Sequence, residues 1–205
     1  MLVVDYGIGN LHSVVKALAH EGATVDVSGD PAALRNAGHV VLPGVGAFPD
    51  GMRQLEARGL VDALREHARG GRPLLGICLG MQLMLSESDE FGLHRGLDLV
   101  PGRVTQIPAE PGLKVPHIGW NRLLPGPVTP WGETLLRDLD AGEMVYFVHS
   151  FTAQPNDGAH LLASARYGSS AVTAAIRRDN VTGVQFHPEK SGSAGLLVLR
   201  RFLVS

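Results

Sequence analysis

One short apolar run constrains the fold of this chain more than any other feature. Residues 73–77 carry no charged or hydrogen-bonding side chain and lead directly into Cys78. A strand that is apolar throughout is typical of the centre of a parallel sheet, because helices cover such a strand on both faces. The run therefore predicts an α/β fold in which Cys78 lies at the end of a central, buried strand.

The first third of the chain alternates strand-like runs with helical patterns, which indicates βαβ units and a parallel sheet. The predicted elements are a strand at residues 1–5, a helix capped by Asn10, a strand at 23–27, a helix capped by Asp30 and a strand at 39–42. Residues 50–69 also have a helical pattern, and Gly59 divides them into two pieces.

The second half is rich in strand-like segments separated by Pro and Gly. The predicted strands are at residues 102–107, 113–124, 144–151, 160–167, 171–177 and 181–186. An amphipathic helix follows at residues 193–203. We therefore expect a three-layer α/β/α, flavodoxin-like fold with a mostly parallel central sheet and additional antiparallel strands in the second half.

Composition narrows the classes of function. The 205 residues fit one compact domain, 1–205. A net charge of -2 without a long basic run predicts neither a nucleic-acid partner nor an anionic membrane, and no apolar run approaches the roughly 18 residues of a membrane span. A single Cys excludes an intrachain disulfide, and the chain starts without a charged leader. We expect a cytoplasmic protein without a metal or cofactor.

The segment Gly76-Ile77-Cys78-Leu79-Gly80 has the G-x-nucleophile-x-G pattern of a nucleophile elbow, with Cys in place of Ser. A sharp strand-to-helix turn strains its central residue, and the flanking glycines avoid clashes that a Cβ would cause. The turn also sets the sulfur near a helix N-terminus, which favours a thiolate. A lone Cys is more often a small buried hydrophobe, but this pattern at the end of an apolar strand favours a nucleophile.

A base for that nucleophile is predicted at His187, within a His-Pro-Glu motif. Pro188 ends strand pairing directly after residues 181–186. Glu189 can face the same side as His187 and accept from one ring nitrogen, which leaves the other nitrogen free to take the thiol proton. By itself the motif is equally well an exposed turn, but with the elbow it predicts a triad of Cys78, His187 and Glu189.

A glycine-bracketed loop, Pro43-Gly44-Val45-Gly46, follows the third predicted strand. Acyl transfer needs N–H donors aimed at a developing oxyanion. The Val45 peptide can supply one donor, and the N–H of Leu79, just after the nucleophile, can supply the other. The glycines on both sides also let this peptide adopt two orientations, only one of which aims an N–H at the oxyanion. Taken alone, the loop is equally well a plain βα turn.

Together the elbow, Gln82 four residues after Cys78, the His-Pro-Glu motif and the Pro-Gly loop resemble the class I (triad) glutamine amidotransferases. Other segments resemble, more narrowly, the glutaminase subunits of imidazole glycerol phosphate synthase in histidine biosynthesis. These segments are residues 5–11, 43–48, 116–121, 146–151 and 185–192. Because they occur in order along nearly the whole chain, the resemblance is highly specific.

The resemblance implies glutaminase chemistry. Cys78 attacks the side-chain carboxamide of glutamine, His187 passes the proton to departing ammonia, and water hydrolyses the glutamyl thioester to glutamate. The residues implied to hold glutamine are Gly46, Gln82, Glu90, His149, Ser150 and Phe151. Glu90 would face the ammonium of glutamine, although by composition it also fits a solvated acidic cluster. Many members carry Tyr in place of Phe151, so a hydroxyl contact is lost here while backbone contacts survive.

The resemblance also implies a partner. Family glutaminases form a heterodimer with a (β/α)8-barrel cyclase, which takes ammonia through an internal tunnel and makes imidazole glycerol phosphate and an aminoimidazole carboxamide ribotide from a phosphoribulosyl-formimino nucleotide. Residues carried over to the cyclase face are Asn10, Trp120, Tyr146 and Lys190. Trp120 and Tyr146 are alternatively core aromatics. Nucleotide bound to the cyclase is expected to favour the active orientation of the Val45 peptide.

Three other functions fit part of the pattern. Another triad amidotransferase subunit would share the triad, but the Pro-Gly-Val-Gly loop and the segment Gly119-Trp120-Asn121 argue against it. A cysteine hydrolase of γ-glutamyl peptides would share the nucleophile and base without needing a barrel partner. A non-catalytic thiol sensor would need the elbow alone, and it leaves the His-Pro-Glu motif unexplained.

Overall fold

The computed structural model describes residues 1–205 and contains one large sheet with helices on both faces. The helices are α1 (Leu11–His20), α2 (Pro31–Asn36), α3 (Phe48–Ala57), α4 (Leu60–Arg69), α5 (Leu79–Leu83) and α6 (Gly192–Leu203). The strands are β1 (Leu2–Val4), β2 (Asp26–Ser28), β3 (Val40–Gly44), β4 (Leu74–Cys78), β5 (Leu85–Ser88), β6 (His94–Arg95), β7 (Val100–Gln106), β8 (His117–Arg122), β9 (Leu124–Pro125), β10 (Met144–His149), β11 (Phe151–Pro155), β12 (Leu161–Tyr167), β13 (Ser170–Arg178) and β14 (Val181–Val184).

The central sheet has the strand order β2-β1-β3-β4-β14-β13-β12-β9. Neighbouring strands are parallel from β2 to β14, and they are antiparallel from β14 to β9. Two smaller sheets have the orders β10-β8 and β11-β7-β5-β6. The predicted mostly parallel sheet with antiparallel strands in the second half is confirmed.

The core lies on both sides of the central sheet because its inner strands are apolar on both faces. On one side Val3 packs in a cluster with Val14 of α1 and Phe202 of α6. On the other side Leu42 packs in a second cluster with Leu64 of α4. These clusters form the two interfaces of a three-layer α/β/α fold, as predicted.

The helices and strands predicted in the first third are all present, with one detail wrong. Asp30 caps α2 by accepting a hydrogen bond from the Ala32 N–H at 2.9 Å. Gly59 adopts a left-handed φ of 66° between α3 and α4. Asn10 directly precedes α1 but makes no side-chain cap, because its ψ of 66° lies outside the extended region that capping residues adopt.

Two strands predicted in the second half are each divided between sheets. Residues 113–124 contain β8, which pairs with β10, and the first residue of β9, which pairs with β12. Residues 144–151 contain β10 and the start of β11, and β11 pairs with β7. The sequence patterns also do not predict β5 or β6. Alternation along one segment indicates a strand but not its pairing partner, so these changes of sheet were not visible.

Candidate active site

The elbow lies where β4 meets α5. Cys78 ends the strand with φ 55° and ψ -111°, an uncommon conformation for a residue with a side chain. A Cβ on Gly80 would collide with the carbonyl oxygen of Leu42, and one on Gly76 would lie 2.7 Å from the Met81 nitrogen. The flanking glycines are therefore required by close packing, and they allow the strained Cys78 geometry that turns its side chain out of the sheet.

The predicted base lies on the neighbouring strand. Because β14 is parallel to β4, residues that follow both strands come together at the same sheet edge. His187 Nδ1 lies 2.8 Å from Glu189 Oε1, and the two side chains are 3% and 1% exposed. The buried Nε2 atom of His187 has no fixed hydrogen-bond partner, and His187 shares a cavity wall with Cys78. The structure thus brings together all three residues of the predicted triad.

The protonation of His187 depends on these neighbours. Burial lowers the pKa of His187, but the neighbouring Cys78 sulfur and the hydrogen bond to Glu189 together outweigh burial and raise that pKa to about 9. The imidazole therefore holds a proton at neutral pH when the sulfur is charged. A protonated His187 is able to donate that proton to a leaving group.

A cavity of about 380 Å³ opens onto the sulfur. Its lining residues are Val45, Gly46, Cys78, Leu79, Gln82, Glu90, Pro116, Val148, His149, Ser150, Phe151 and His187. This set contains every residue predicted to hold glutamine or to supply an oxyanion donor. A cavity of about 400 Å³ at the opposite sheet edge, beside Arg65 and Arg178, is lined by no Cys, Ser or Thr.

The predicted oxyanion loop is anchored at one end and open at the other. Tyr6 Oη donates to the Pro43 carbonyl at 2.8 Å, and burial followed by the charge of Cys78 raises the pKa of Tyr6 well above its ordinary value. A Cβ on Gly44 would lie 2.5 Å from that hydroxyl. Val45, by contrast, is 43% exposed, and Gly46 has a φ of 95° with open space beside its Cα.

Glu90 is a buried group, so the alternative of a solvated acidic cluster is wrong. The residue is 8% exposed, and its Oε2 accepts a hydrogen bond from the Phe48 N–H at 2.7 Å, at the start of α3. Burial raises the pKa of Glu90, and this hydrogen bond opposes the rise. A buried carboxylate on the cavity wall is chemically suited to a ligand ammonium.

Sequence reasoning missed a buried hydrogen-bond chain behind the cavity. His149 Nδ1 donates to the Phe151 carbonyl at 2.8 Å, which leaves His149 Nε2 to accept from His117 Nδ1 at 2.9 Å. The remaining nitrogen of His117 then accepts from Asn121 Nδ2 at 3.2 Å. Burial lowers the pKa of both His117 and His149 to about 4, so both rings are neutral near pH 7. The backbone carbonyl fixes both tautomers and holds the strand end beside the cavity.

Gln185 was also missed as a single residue, although it lies within a segment that resembles the family. It is fully buried, and its Oε1 accepts from Gln82 Nε2 at 2.9 Å. The same Gln82 nitrogen donates to the Phe151 carbonyl at 3.2 Å. The only sequence signal was an amide side chain within an otherwise apolar run immediately before His187.

The residues predicted to meet a partner fall into two groups beside the triad. Trp120 is 53% exposed and pairs across β8 and β10 with Tyr146, whose ring lies 6.2 Å from the indole. Lys190 Nζ lies 6.0 Å from the centre of the Tyr146 ring. Asn10 instead borders a narrow crevice with His187 and Glu189. Trp120 is thus not a core aromatic.

Two general features complete the description of the site. No helix has both the length and the apolar character needed to cross a membrane. No group of three or more His, Cys, Asp or Glu side chains is arranged to hold a metal ion.

Comparisons with known proteins agree with one another. The family described as Glutamine amidotransferase class-I matches residues 2–205. The imidazole glycerol phosphate synthase subunit HisH 1 of Legionella pneumophila (strain Paris) is 45% identical over 207 residues, which cover 98% of this chain and 97% of that protein. The HisH subunit of Gloeobacter violaceus is 50% identical over 201 residues, covering 98% and 87%.

The fold also matches solved structures. A crystal structure described as a glutamine amidotransferase has a TM-score of 0.75 to this chain, and the alignment covers 99% of this chain and 97% of that one. Its sequence identity is 18%, so this likeness concerns the fold alone.

Proposed function

This chain belongs to the class-I glutamine amidotransferase family and, within it, to the HisH subunits of imidazole glycerol phosphate synthase, and we propose that it hydrolyses glutamine and passes the ammonia to a partner cyclase in histidine biosynthesis. The products are glutamate and ammonia. The observation that carries the proposal is the buried His187–Glu189 pair beside Cys78 at the wall of a cavity. A non-catalytic thiol sensor would have no use for that pair.

In the proposed mechanism Cys78 Sγ attacks the side-chain carbonyl carbon of glutamine. The carbonyl oxygen becomes an oxyanion, which accepts from the N–H of Leu79 and from an N–H of the Val45 peptide. His187 donates its proton to the departing nitrogen, the C–N bond breaks, and a glutamyl thioester remains. His187 then takes a proton from water, whose oxygen attacks the thioester and releases glutamate. Glu189 orients the ring throughout.

The hydrogen bonds within the protein determine which groups of the proposed site remain free to bind glutamine. Both protons of Gln82 Nε2 are used, by Phe151 and Gln185, so Gln82 meets the substrate as an acceptor through Oε1. Glu90 contributes its second carboxylate oxygen to the substrate ammonium. Gly46 and the segment 149–151 contribute backbone groups, which do not depend on a hydroxyl at Phe151. This set suits the amino-acid end of glutamine.

The proposed partner is a (β/α)8-barrel cyclase, bound as a heterodimer. Ile118, Trp120 and Met144 are 58%, 53% and 38% exposed on the two-stranded sheet β10-β8, and Tyr146 and Lys190 adjoin them. Large exposed apolar side chains at one place mark an interaction surface. Direct transfer has a chemical reason, because ammonia released into neutral water becomes mostly ammonium, which is not a nucleophile.

A single domain covering residues 1–205 and a cytoplasmic location remain predictions from the sequence. Limited proteolysis tests the first, since one domain yields no stable fragment. Fractionation of cells that produce the protein tests the second.

Labelling tests the proposed glutaminase directly. We expect a glutamine-analogue alkylator to add one adduct to the wild-type protein and none to Cys78→Ser, as measured by intact mass. The Cys78→Ser variant is matched in size, so loss of labelling reports the nucleophile. Absence of an adduct on the wild type, even with cyclase and nucleotide present, would contradict the proposed function.

A further inference from the structure

Gln185 touches the sulfur of the nucleophile. Its Nε2 lies 3.6 Å from Cys78 Sγ, within the range of an N–H···S hydrogen bond. Gln185 is 0% exposed and Cys78 is 7% exposed, so the contact between them is buried. The residue precedes His187 by two positions, yet it approaches the sulfur with an amide that does not ionise.

The direction of this hydrogen bond follows from a backbone group. The Phe151 carbonyl can only accept, so the atom of Gln82 that faces it must be the amide nitrogen. That nitrogen also faces Gln185, so the facing atom of Gln185 must be its oxygen. The Gln185 nitrogen therefore points at Cys78 Sγ. No other arrangement of the two amides satisfies all three contacts.

We propose that Gln185 is a further catalytic residue, which stabilises the Cys78 thiolate by donating an N–H to its sulfur. The proposal rests on the proposed glutaminase function, in which the sulfur carries negative charge twice. The charge is present before attack on glutamine. It returns when water attacks the thioester, because the C–S bond breaks and its electron pair goes back to sulfur.

The physical basis is a charge-assisted hydrogen bond between two buried side chains. Such a bond strengthens when the acceptor becomes an anion and weakens when the sulfur is acylated. His187 is a charged group beside the sulfur, but it must give its proton to ammonia during the first half of the reaction. Gln185 keeps both of its amide protons, so it can stabilise the sulfur at every stage.

A purely structural role for Gln185 would be to hold Gln82 in place. Two substitutions distinguish this role from donation of a hydrogen bond to the Cys78 sulfur. Gln185→Glu keeps an oxygen that accepts from Gln82 and replaces the donor to sulfur with a second oxygen. Gln185→Met removes both contacts without adding charge. The matched control is Gln154→Glu, because Gln154 is exposed on β11 and the substitution makes the same change in net charge.

The measurement is the rate of Cys78 alkylation by iodoacetamide in the full chain, followed by intact mass from pH 5 to pH 10. The titratable groups that face the sulfur are His187 and Tyr6, and neither is altered in these variants. At pH 7 we expect the rate to fall about tenfold in Gln185→Met and about a hundredfold in Gln185→Glu. The plateau rate at high pH should be retained, and Gln154→Glu should match the wild type.

A purely structural role for Gln185 predicts different alkylation rates. If Gln185→Met and Gln185→Glu are folded and alkylate at the wild-type rate at pH 7, the proposal is wrong. A lower plateau with an unchanged pH midpoint would also overturn it, because that result indicates altered access rather than lost charge stabilisation. An unreactive Cys78 in the wild type would instead count against the proposed function.

A second measurement needs no Gln185 variant and applies if those variants do not fold. In ¹⁵N-labelled wild-type protein, one Nε2 proton of Gln185 should change its chemical shift with the same pH midpoint as the alkylation rate. The change should be absent in Cys78→Ser. A Gln185 amide signal that does not respond to pH in the wild type would overturn the proposal.

Discussion

The nucleophile and the loop that faces it differ in how firmly the protein holds them. The triad is enclosed, with Glu189 hydrogen-bonded to His187 and both side chains at most 3% exposed. Across the cavity, Val45 is 43% exposed and Gly46 has open space around it. The nucleophile is thus enclosed by the chain itself, whereas the proposed oxyanion donor lies on an exposed loop. We infer from this difference that a partner would regulate the loop and not the nucleophile.

The largest effect on glutamine turnover is expected from a change in the enclosed triad. Glu189→Gln keeps the shape of the side chain but removes the charge that orients His187, so its pKa should fall from about 9. We expect glutamine turnover to fall about 10⁴-fold, by analogy with loss of the orienting carboxylate in serine proteases. Steady-state assays with cyclase present measure this. Glu56→Gln, at an exposed position of α3, is the control and should have no effect.

The elbow should be intolerant of a single methyl group. Gly80→Ala places a Cβ against the Leu42 carbonyl, so β3 and α5 must separate. We expect the free energy of unfolding to fall by roughly 2–4 kcal/mol, together with loss of alkylation. Urea denaturation measures the stability. Gly38→Ala, where a Cβ meets nothing within 4 Å, should be neutral, and equal stability of the two variants would contradict the close packing of the elbow.

The buried histidines behind the cavity should make the enclosed region sensitive to acid. The pKa values of His117 and His149 are lowered from 6.5 to about 4, so the unfolded chain binds more protons than the folded chain between these values. Stability is therefore lost as the pH falls from 6.5 to 4, by on the order of 2 kcal/mol for each ring at pH 5. His187 has a raised pKa, so its contribution is complete below 6.5 and is lost only as the pH rises through about 9.

Denaturation in urea at pH 7 and pH 5 tests this prediction. The two rings together should lower the free energy of unfolding between pH 7 and pH 5. His117→Gln removes one ring and should reduce that loss by about half. His20→Gln, at an exposed position of α1, should leave it unchanged. A wild-type protein equally stable at both pH values would show that these rings are not held neutral.

The smallest effect is expected in the loop. Gly46→Ala introduces a side chain at a φ of 95°, where the space is open but the backbone conformation is unfavourable. We expect turnover to fall about tenfold, because the Val45 peptide is displaced from the oxyanion. Alkylation of Cys78 by iodoacetamide should not change, because the substitution of iodide by the sulfur forms no oxyanion. An equal loss of turnover and of alkylation would mean that the conformation of the loop also controls the reactivity of Cys78.

The same contrast explains what the sequence could predict. Cys78, His187 and Glu189 follow strands with clear local patterns, and parallel neighbours deliver their ends to one sheet edge. Gln185 and His117 were missed because their roles depend on contacts made 107 and 32 residues away in sequence. The divided strands of the second half were missed for the same reason. Local pattern identifies an element, whereas pairing across the fold identifies its neighbours.

One experiment tests the contrast between nucleophile and loop most directly. Glutamine turnover and iodoacetamide alkylation of Cys78 are both measured for the chain alone, with cyclase, and with cyclase plus nucleotide. We predict that turnover rises by about 10²–10³-fold across the series as the oxyanion donor is supplied, while alkylation stays constant. Equal turnover in all three states, or alkylation that rises in parallel with turnover, would contradict a preassembled nucleophile facing an adjustable loop.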